Sequence, residues 1–284
     1  MIRKQLSILC LLCLAGLALS VPLSRLVRSR SVSRSISSAA QPRDTSPSQT
    51  RILSSYGKLP LSFEENQGQT DARVKFLMRG NGYTVFLTND QTTTLRLAAP
   101  SKVPATARDR ALRSLTGVAP PKGTDAVVRL ALVGSNPRAE VEGVDLQPGR
   151  SNYFIGNNPA RWHHNVPHYA RVKYRGVYPG VDLVYYGNQG QLESDYVLAP
   201  GANPGQIGLR VDGARSLKLD SQGDLVLATA SGNVLLRKPR AYQQIAGRRQ
   251  EIPTSYIQRG LHLVGIRVGN YDSRQPLIID PVMI

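Results

Sequence analysis

The sequence predicts a mainly β protein: an antiparallel, sandwich-like domain built of many short strands, with little helix. Three observations carry this. From Leu59 onward, short runs alternate apolar and polar residues, the two-residue period of a half-buried strand. Gly, Asn and Pro punctuate these runs at spacings of roughly 8–12 residues, the rhythm of sandwiches and barrels. No long stretch carries the 3.6-residue period of an amphipathic helix.

Taken in order, the runs 74–78 and 83–88 flank Arg79-Gly80-Asn81-Gly82. Asn81-Gly82 offers two residues that tolerate positive φ, the mark of a two-residue hairpin turn. The run 92–97 alternates threonine with apolar positions and adds a third strand. Residues 98–125 break the pattern with Pro100, Pro104, Pro120 and Pro121 and with Arg108, Arg110 and Arg113. There, 105–115 fits a short helix within what is otherwise a long surface loop. A strand resumes over 126–133, and Ser135-Asn136-Pro137 is a turn. Further strands are predicted at 206–211, 216–219, 224–229, 241–245, 252–258 and 261–268, and a final apolar run at 276–281. The total is roughly fifteen strands.

Ahead of the β region lie two segments of different texture. Residues 1–20 read as a secretory signal peptide: Arg3 and Lys4, an apolar run from Leu6 to Ala18, and small residues around Ala18-Leu19-Ser20. The run is shorter than the ~20 residues a spanning helix needs. A mature chain starting near Val21 is expected, exported to the periplasm, the cell surface or the medium, with no transmembrane span left. Residues 21–58 are rich in Ser, Arg and Pro and poor in aromatics, the composition of a disordered basic linker. The β domain then spans 59–284, as one unit or as two packed subdomains of about 59–148 and 149–284.

Both cysteines, Cys10 and Cys13, fall in the leader, so the mature chain is expected to have neither a disulfide nor a cysteine metal site. The formal charge is +17, of which the leader holds two basic residues. Seven basic residues and one acid lie in 21–58, leaving +9 for 59–284. Such a surface attracts polyanions loosely, but no cluster interleaves bases with aromatics as a nucleic-acid module does, so no specific nucleic-acid partner is expected.

The stretch 151–201 concentrates the aromatic material that should form the core. It holds the single tryptophan and seven of the twelve tyrosines. It also holds His163, His164 and His168, but adjacent histidines on a strand point to opposite faces. Pro167 prevents a helix that would stack His164 under His168. These read as surface or hydrogen-bonded histidines, with no metal site. Within the same stretch, 181–186 and 191–196 form a hairpin around Asn188-Gln189. A loop centred there opposes Asp182 to Asp195 and Val184 to Glu193. It gathers Asp182, Glu193 and Asp195 on one face, with Leu183, Tyr185 and Leu192 on the other. Opposed like charges need neutralising. Arg171, Lys173 and Arg175 alternate along the preceding strand and are the expected partners. Calcium is the alternative, and a carboxyl held protonated for acid catalysis is the third option.

Four ordered blocks resemble a known family: Phe63-Glu64-Glu65-Asn66-Gln67-Gly68-Gln69, Asn152-Tyr153-Phe154-Ile155-Gly156-Asn157, Tyr178-Pro179-Gly180-Val181-Asp182 running to Tyr196, and Leu277-Ile278-Ile279-Asp280-Pro281-Val282. Over about 59–282 the chain is similar to the uncharacterised N-terminal domain of bacterial secreted proteins that carry SBBP-type β-propeller repeats. The repeats themselves are absent from these 284 residues. The resemblance implies an exported, envelope-associated module and brings no catalytic residue with it. No nucleophile elbow, phosphate loop, dinucleotide fingerprint or zincin motif appears. The expected function is therefore non-enzymatic interaction or assembly, with cell-surface polysaccharide or another envelope protein as partner. A carbohydrate-active enzyme or a polyanion-binding module is the alternative.

Overall fold

The computed structural model describes residues 61–80, 82–99, 125–188 and 190–283. The signal-like leader, the basic linker, the 105–115 segment and Asn81 lie outside them. Strands dominate, and helix among the described residues is confined to two single 3-10 turns, Pro159–Arg161 and Pro204–Gln206. The strands are β1 (Phe63–Glu65), β2 (Val74–Gly80), β3 (Tyr83–Thr88), β4 (Thr92–Leu97), β5 (Ala126–Leu132), β6 (Glu140–Tyr153) and β7 (His163–Tyr178). There follow β8 (Val181–Asn188), β9 (Gln191–Leu198), β10 (Gly208–Asp212), β11 (Ser216–Leu219), β12 (Leu225–Thr229) and β13 (Gly232–Leu236). The last are β14 (Arg240–Ile245), β15 (Arg248–Ile252), β16 (Thr254–Gln258), β17 (Leu263–Val268), β18 (Leu277–Asp280) and β19 (Val282–Met283).

Period-2 patterning explains why these residues pair as they do. In β3, Val85 and Leu87 are fully buried, and in β8 Val181 and Leu183 are too, while their neighbours face outward. Pro179-Gly180 makes the two-residue turn that lets Tyr178 oppose Val181. Proline presets φ at the first turn position, and Gly180 takes the left-handed φ of 71° that the second requires.

All strand pairs are antiparallel, and together they make one nearly closed sheet. It branches at β7, a strand long enough to take β6 along one edge and two neighbours along the other. β1 pairs with β7 at His168 and Tyr169, and β8 pairs with it from Arg171 onward. From β1 one arm runs β2, β3, β4, β5, β10, β17, β16. From β8 the other runs to β9, which pairs with both β18 and β19. β18 continues to β14 and β15, and β19 to β13, β12 and β11. The two arms share one core, in which Phe63, Met78, Leu87 and Val128 meet Tyr174, Leu183, Leu198 and Leu277. Core tyrosines carry hydrogen bonds between elements: Tyr185 to Thr93 at 2.7 Å and Tyr174 to the Thr88 carbonyl at 2.8 Å. Each lets a large ring be buried without orphaning its hydroxyl.

The β class is as expected, with 276–281 paired inside the sheet, but three expectations change. The hairpin register is shifted by two residues: Asn188 opposes Gln191 and Asp182 opposes Val197, so Asp182 and Asp195 do not face each other. The turn is tighter than a loop centred on Asn188-Gln189, and a shift of two keeps every side chain on its expected face. The aromatic stretch is also not uniformly core: Tyr174 and Tyr196 are buried, but Phe154 is 60% exposed. Finally, β15 carries Arg248, Arg249, Gln250 and Glu251, which hid a strand from apolar patterning; such charges suit a sheet edge.

Candidate functional site

The predicted carboxylates lie on the outer face of β8 and β9, with Leu183, Tyr185 and Leu192 buried beneath. Of the three basic partners expected, Lys173 alone reaches this group. Its ammonium lies 2.8 Å from Asp182. Arg171 pairs instead with Asp145 at 3.0 Å, and Arg175 with Glu142. The reason is β6, which lies along the other edge of β7 and supplies competing acids. Glu193 accepts from the Asn188 amide at 2.9 Å, and Asp195 accepts from the Tyr186 hydroxyl at 3.1 Å. The ladder that pairs Ile279 with Tyr196 continues to place Asp280, not Asp182, beside Asp195. One Asp280 carboxyl oxygen is buried without a partner among the described residues. No group of three or more His, Cys, Asp or Glu side chains among the described residues is placed to hold a metal ion.

The two aspartates are tuned in opposite directions. Burial acts to raise Asp182, but hydrogen bonds from Lys173 and the Gly176 amide hold it below the usual carboxylate range. Burial, with the charge of Asp280 second, pushes Asp195 up to about 6 against the opposing hydrogen bond from Tyr186. The signs follow from linkage. A carboxyl lowered on folding stabilises above its unfolded value; one raised on folding adds stability at low pH that is lost as pH rises from about 4 to about 6. Asp182→Asn should therefore destabilise at pH 7, by about 0.5–1 kcal/mol for so exposed a pair. Asp195→Asn should stabilise at pH 7 by about 1 kcal/mol after allowance for solvent screening, and be near neutral at pH 4. Urea titrations at the two pH values check this; a destabilised Asp195→Asn variant at pH 7 refutes it.

A second polar node, not anticipated from sequence, sits where β1, β2, β6 and β7 meet. The buried Glu64 accepts hydrogen bonds from Arg79 and from the Tyr153 hydroxyl, and Arg79 also donates to that hydroxyl oxygen at 2.9 Å. Opposite Glu64 in the ladder is His168. Its Nδ1 lies 2.9 Å from Ser62 Oγ and its Nε2 2.7 Å from Ser151 Oγ. A serine–histidine contact invites a hydrolase reading. Here the second ring nitrogen meets another serine and not an acid, because the neighbouring Glu64 is engaged by Arg79 and Tyr153. The node ties the root of the β6–β7 hairpin to the body of the sheet.

Beyond that root the hairpin ends in residues 154–162. Phe154 is 60% and Ile155 62% exposed, among the largest apolar exposures described. The loop is nonetheless internally bonded. Asn158 caps the 3-10 turn by accepting from the Ala160 amide at 3.0 Å, and the Trp162 amide donates to Pro159 at 3.0 Å. The indole Nε1 donates to the Gly156 carbonyl at 3.1 Å. Phe154 stands edge-to-face against Trp162 at 5.3 Å and against His164 at 5.1 Å. His163 packs close to Gly68, so none of the three histidines stands in a shared coordination site. These rings are ordered and solvent-facing, which is a costly arrangement unless something covers them.

Two concavities contrast with this tip. A cavity of about 40 Å³ lies between Leu130, Tyr185, Tyr196, Tyr256 and Ile266. It has room for water but falls far short of the roughly 300 Å³ at which ligand pockets begin. An open groove of about 540 Å³ runs past Arg73, Arg129 and Arg210. Its charges are largely spent in local pairs, Arg73 with Asp71 and Arg210 with Asp212. Neither space is lined by Asp182, Glu193, Asp195 or Asp280.

The fold and the site together define an antiparallel β module whose charged side chains are mostly paired with one another and which presents two adjacent exposed apolar side chains, Phe154 and Ile155, at a hairpin tip. Residues 63–282 match the family described as Domain of unknown function (DUF7948), and the chain belongs to that family. No curated protein and no solved structure matches the chain.

Proposed function

We propose that this protein is a non-enzymatic interaction or assembly module of the bacterial envelope or cell surface, exported by its leader, that engages its partner through the 154–162 tip. The observation that carries the reading is the exposure of Phe154 and Ile155 on a loop held in shape by its own hydrogen bonds. A preordered apolar tip loses little conformational entropy on binding. Asp182, Asp195 and His168 take part in pairs that hold neighbouring strands together. The relation to proteins with SBBP-type repeats is part of the same proposal and supports an envelope setting.

Two experiments test it. Retention on envelope fragments from the source cells should be lost in a Phe154→Ser/Ile155→Ser variant, whose two side chains contribute little to the core. Equal retention of parent and variant would refute the role of the tip. Export is tested by sequencing the N-terminus of the secreted product, which should lie near Val21; an intact Met1 in a soluble cytoplasmic product refutes export.

A further inference from the structure

We propose that the partner of the tip is an anionic phospholipid surface, a proposal that rests on the reading of residues 154–162 as the binding element. In it, Phe154 and Ile155 enter the acyl boundary, Trp162 sits at headgroup level, and Arg150 and Arg161 meet the phosphates.

Three features favour lipid over a glycan or a shaped protein pocket. The first is the type and arrangement of the apolar groups. A sugar platform needs a flat ring face, but the planes of Phe154 and Trp162 are at 89° to each other and offer no common plane. The other exposed apolar side chain of the tip, Ile155, has no ring at all. A fluid acyl boundary accepts any apolar shape.

The second is polar satisfaction. Inserting a loop into a membrane interface strands any backbone or indole donor that lacks a partner. Here the amides of Ala160, Arg161 and Trp162 and the indole N–H are bonded within the loop, and the amides from Ile155 to Asn158 stay at headgroup level, so that only the side chains of Phe154 and Ile155 enter the acyl boundary. Trp162 is partly exposed beside them, and tryptophan is an amphipathic ring favoured at membrane–water boundaries.

The third is charge. Between Leu146 and Val181 there are five Lys and Arg residues and no Asp or Glu. Arg171, Lys173 and Arg175 are neutralised by Asp145, Asp182 and Glu142. Arg150 and Arg161, the two nearest the tip in sequence, form no ion pair among the described residues; Arg150 donates only to the Gln147 and Gly149 carbonyls. Two apolar side chains alone give weak anchoring, and cations facing anionic headgroups supply the second contribution that peripheral attachment needs.

Because this chain has a single tryptophan, Trp162 reports the tip and nothing else. This matters because the apolar leader of the full chain can partition into bilayers by itself. The full chain is titrated with vesicles of phosphatidylcholine, alone or with about one-third phosphatidylglycerol, some carrying brominated acyl chains that quench nearby indoles. The anionic vesicles should shift Trp162 emission to the blue and quench it, and neutral vesicles should need about tenfold more lipid. Phe154→Ser/Ile155→Ser should raise half-saturating lipid about tenfold, and Arg161→Gln about fivefold, with near-ultraviolet circular dichroism unchanged. Absence of quenching by anionic vesicles, or equal quenching in the double variant, overturns the proposal. A Trp162 shift caused by soluble polygalacturonate and not by vesicles reassigns the tip to an acidic glycan. If envelope retention depends on the tip while vesicles are not bound, the interaction reading stands and the lipid assignment falls; if neither depends on the tip, both fall.

Discussion

Removal of residues 276–284 is expected to abolish cooperative folding rather than merely to lower stability. β18 lies between β9 and β14, and β19 between β9 and β13. Deleting them leaves two groups of strands, β11 to β13 and β14 with β15, without their bonds to the rest of the second arm. Leu277 is 1% exposed and Ile279 is fully buried, so truncating either to alanine should cost about 2–5 kcal/mol. The sum over both positions reaches the whole stability of a typical domain. The shortened chain should lack a sigmoidal melt and the near-ultraviolet signal of its packed tyrosines. A sharp thermal transition within a few degrees of the parent would show that the C-terminal strands are peripheral. The double substitution Leu277→Ala/Ile279→Ala, scored by urea unfolding, separates lost packing from lost strand pairing.

Gly213→Ala is expected to destabilise by about 3–5 kcal/mol, a large effect for one methyl group. Gly213 follows β10 with φ at +87°, a conformation that costs an L side chain roughly 1–2 kcal/mol. The added Cβ would also lie 2.0 Å from the Val127 carbonyl oxygen, a backbone atom of β5 that can retreat only by opening the β5–β10 pairing. Gly134 supplies the control, because its φ is +69° and its Cβ direction is open. Gly134→Ala should carry the conformational cost alone, about 1–2 kcal/mol. Equal losses in the two variants would mean that the strand at Val127 yields freely.

What could be read in the chain follows the range of the interactions involved. Alternation within five to eight residues is a local property, and β2, β3, β4 and β11 stand close to where Val74, Tyr83, Thr92 and Ser216 placed them. The face assignment of Asp182, Glu193 and Asp195 is equally local and held even where the register moved. Their partners were not local. β6 lacks a clean apolar alternation, and without β6 in view Arg171 and Arg175 had nothing else to pair with than the carboxylates of β8 and β9. The His168 node joins residues separated by up to 106 positions along the chain, and no spacing rule connects Ser62 to His168. The tip was misread for a different reason: composition shows that Phe154 and Trp162 are aromatic, and only the β6–β7 bulges show that the hairpin carries Phe154 out of the core.

The branching at β7 also dictates a timetable. The meander β2–β3–β4–β5 can form from local contacts while the chain is being made, but its outer neighbour β10 lies about eighty residues downstream of β5. β1 must wait for His168, and β9 must wait for Ile279 and Val282 before its free edge is covered. Pairings of such sequence separation are slow, on the order of milliseconds to seconds. At about 5–20 residues per second, the stretch from β10 to β19 takes on the order of ten seconds to synthesise, during which the nascent chain has half-built edges and no closed sheet. The closed sheet is therefore inaccessible until β18 and β19 have emerged to cover β9.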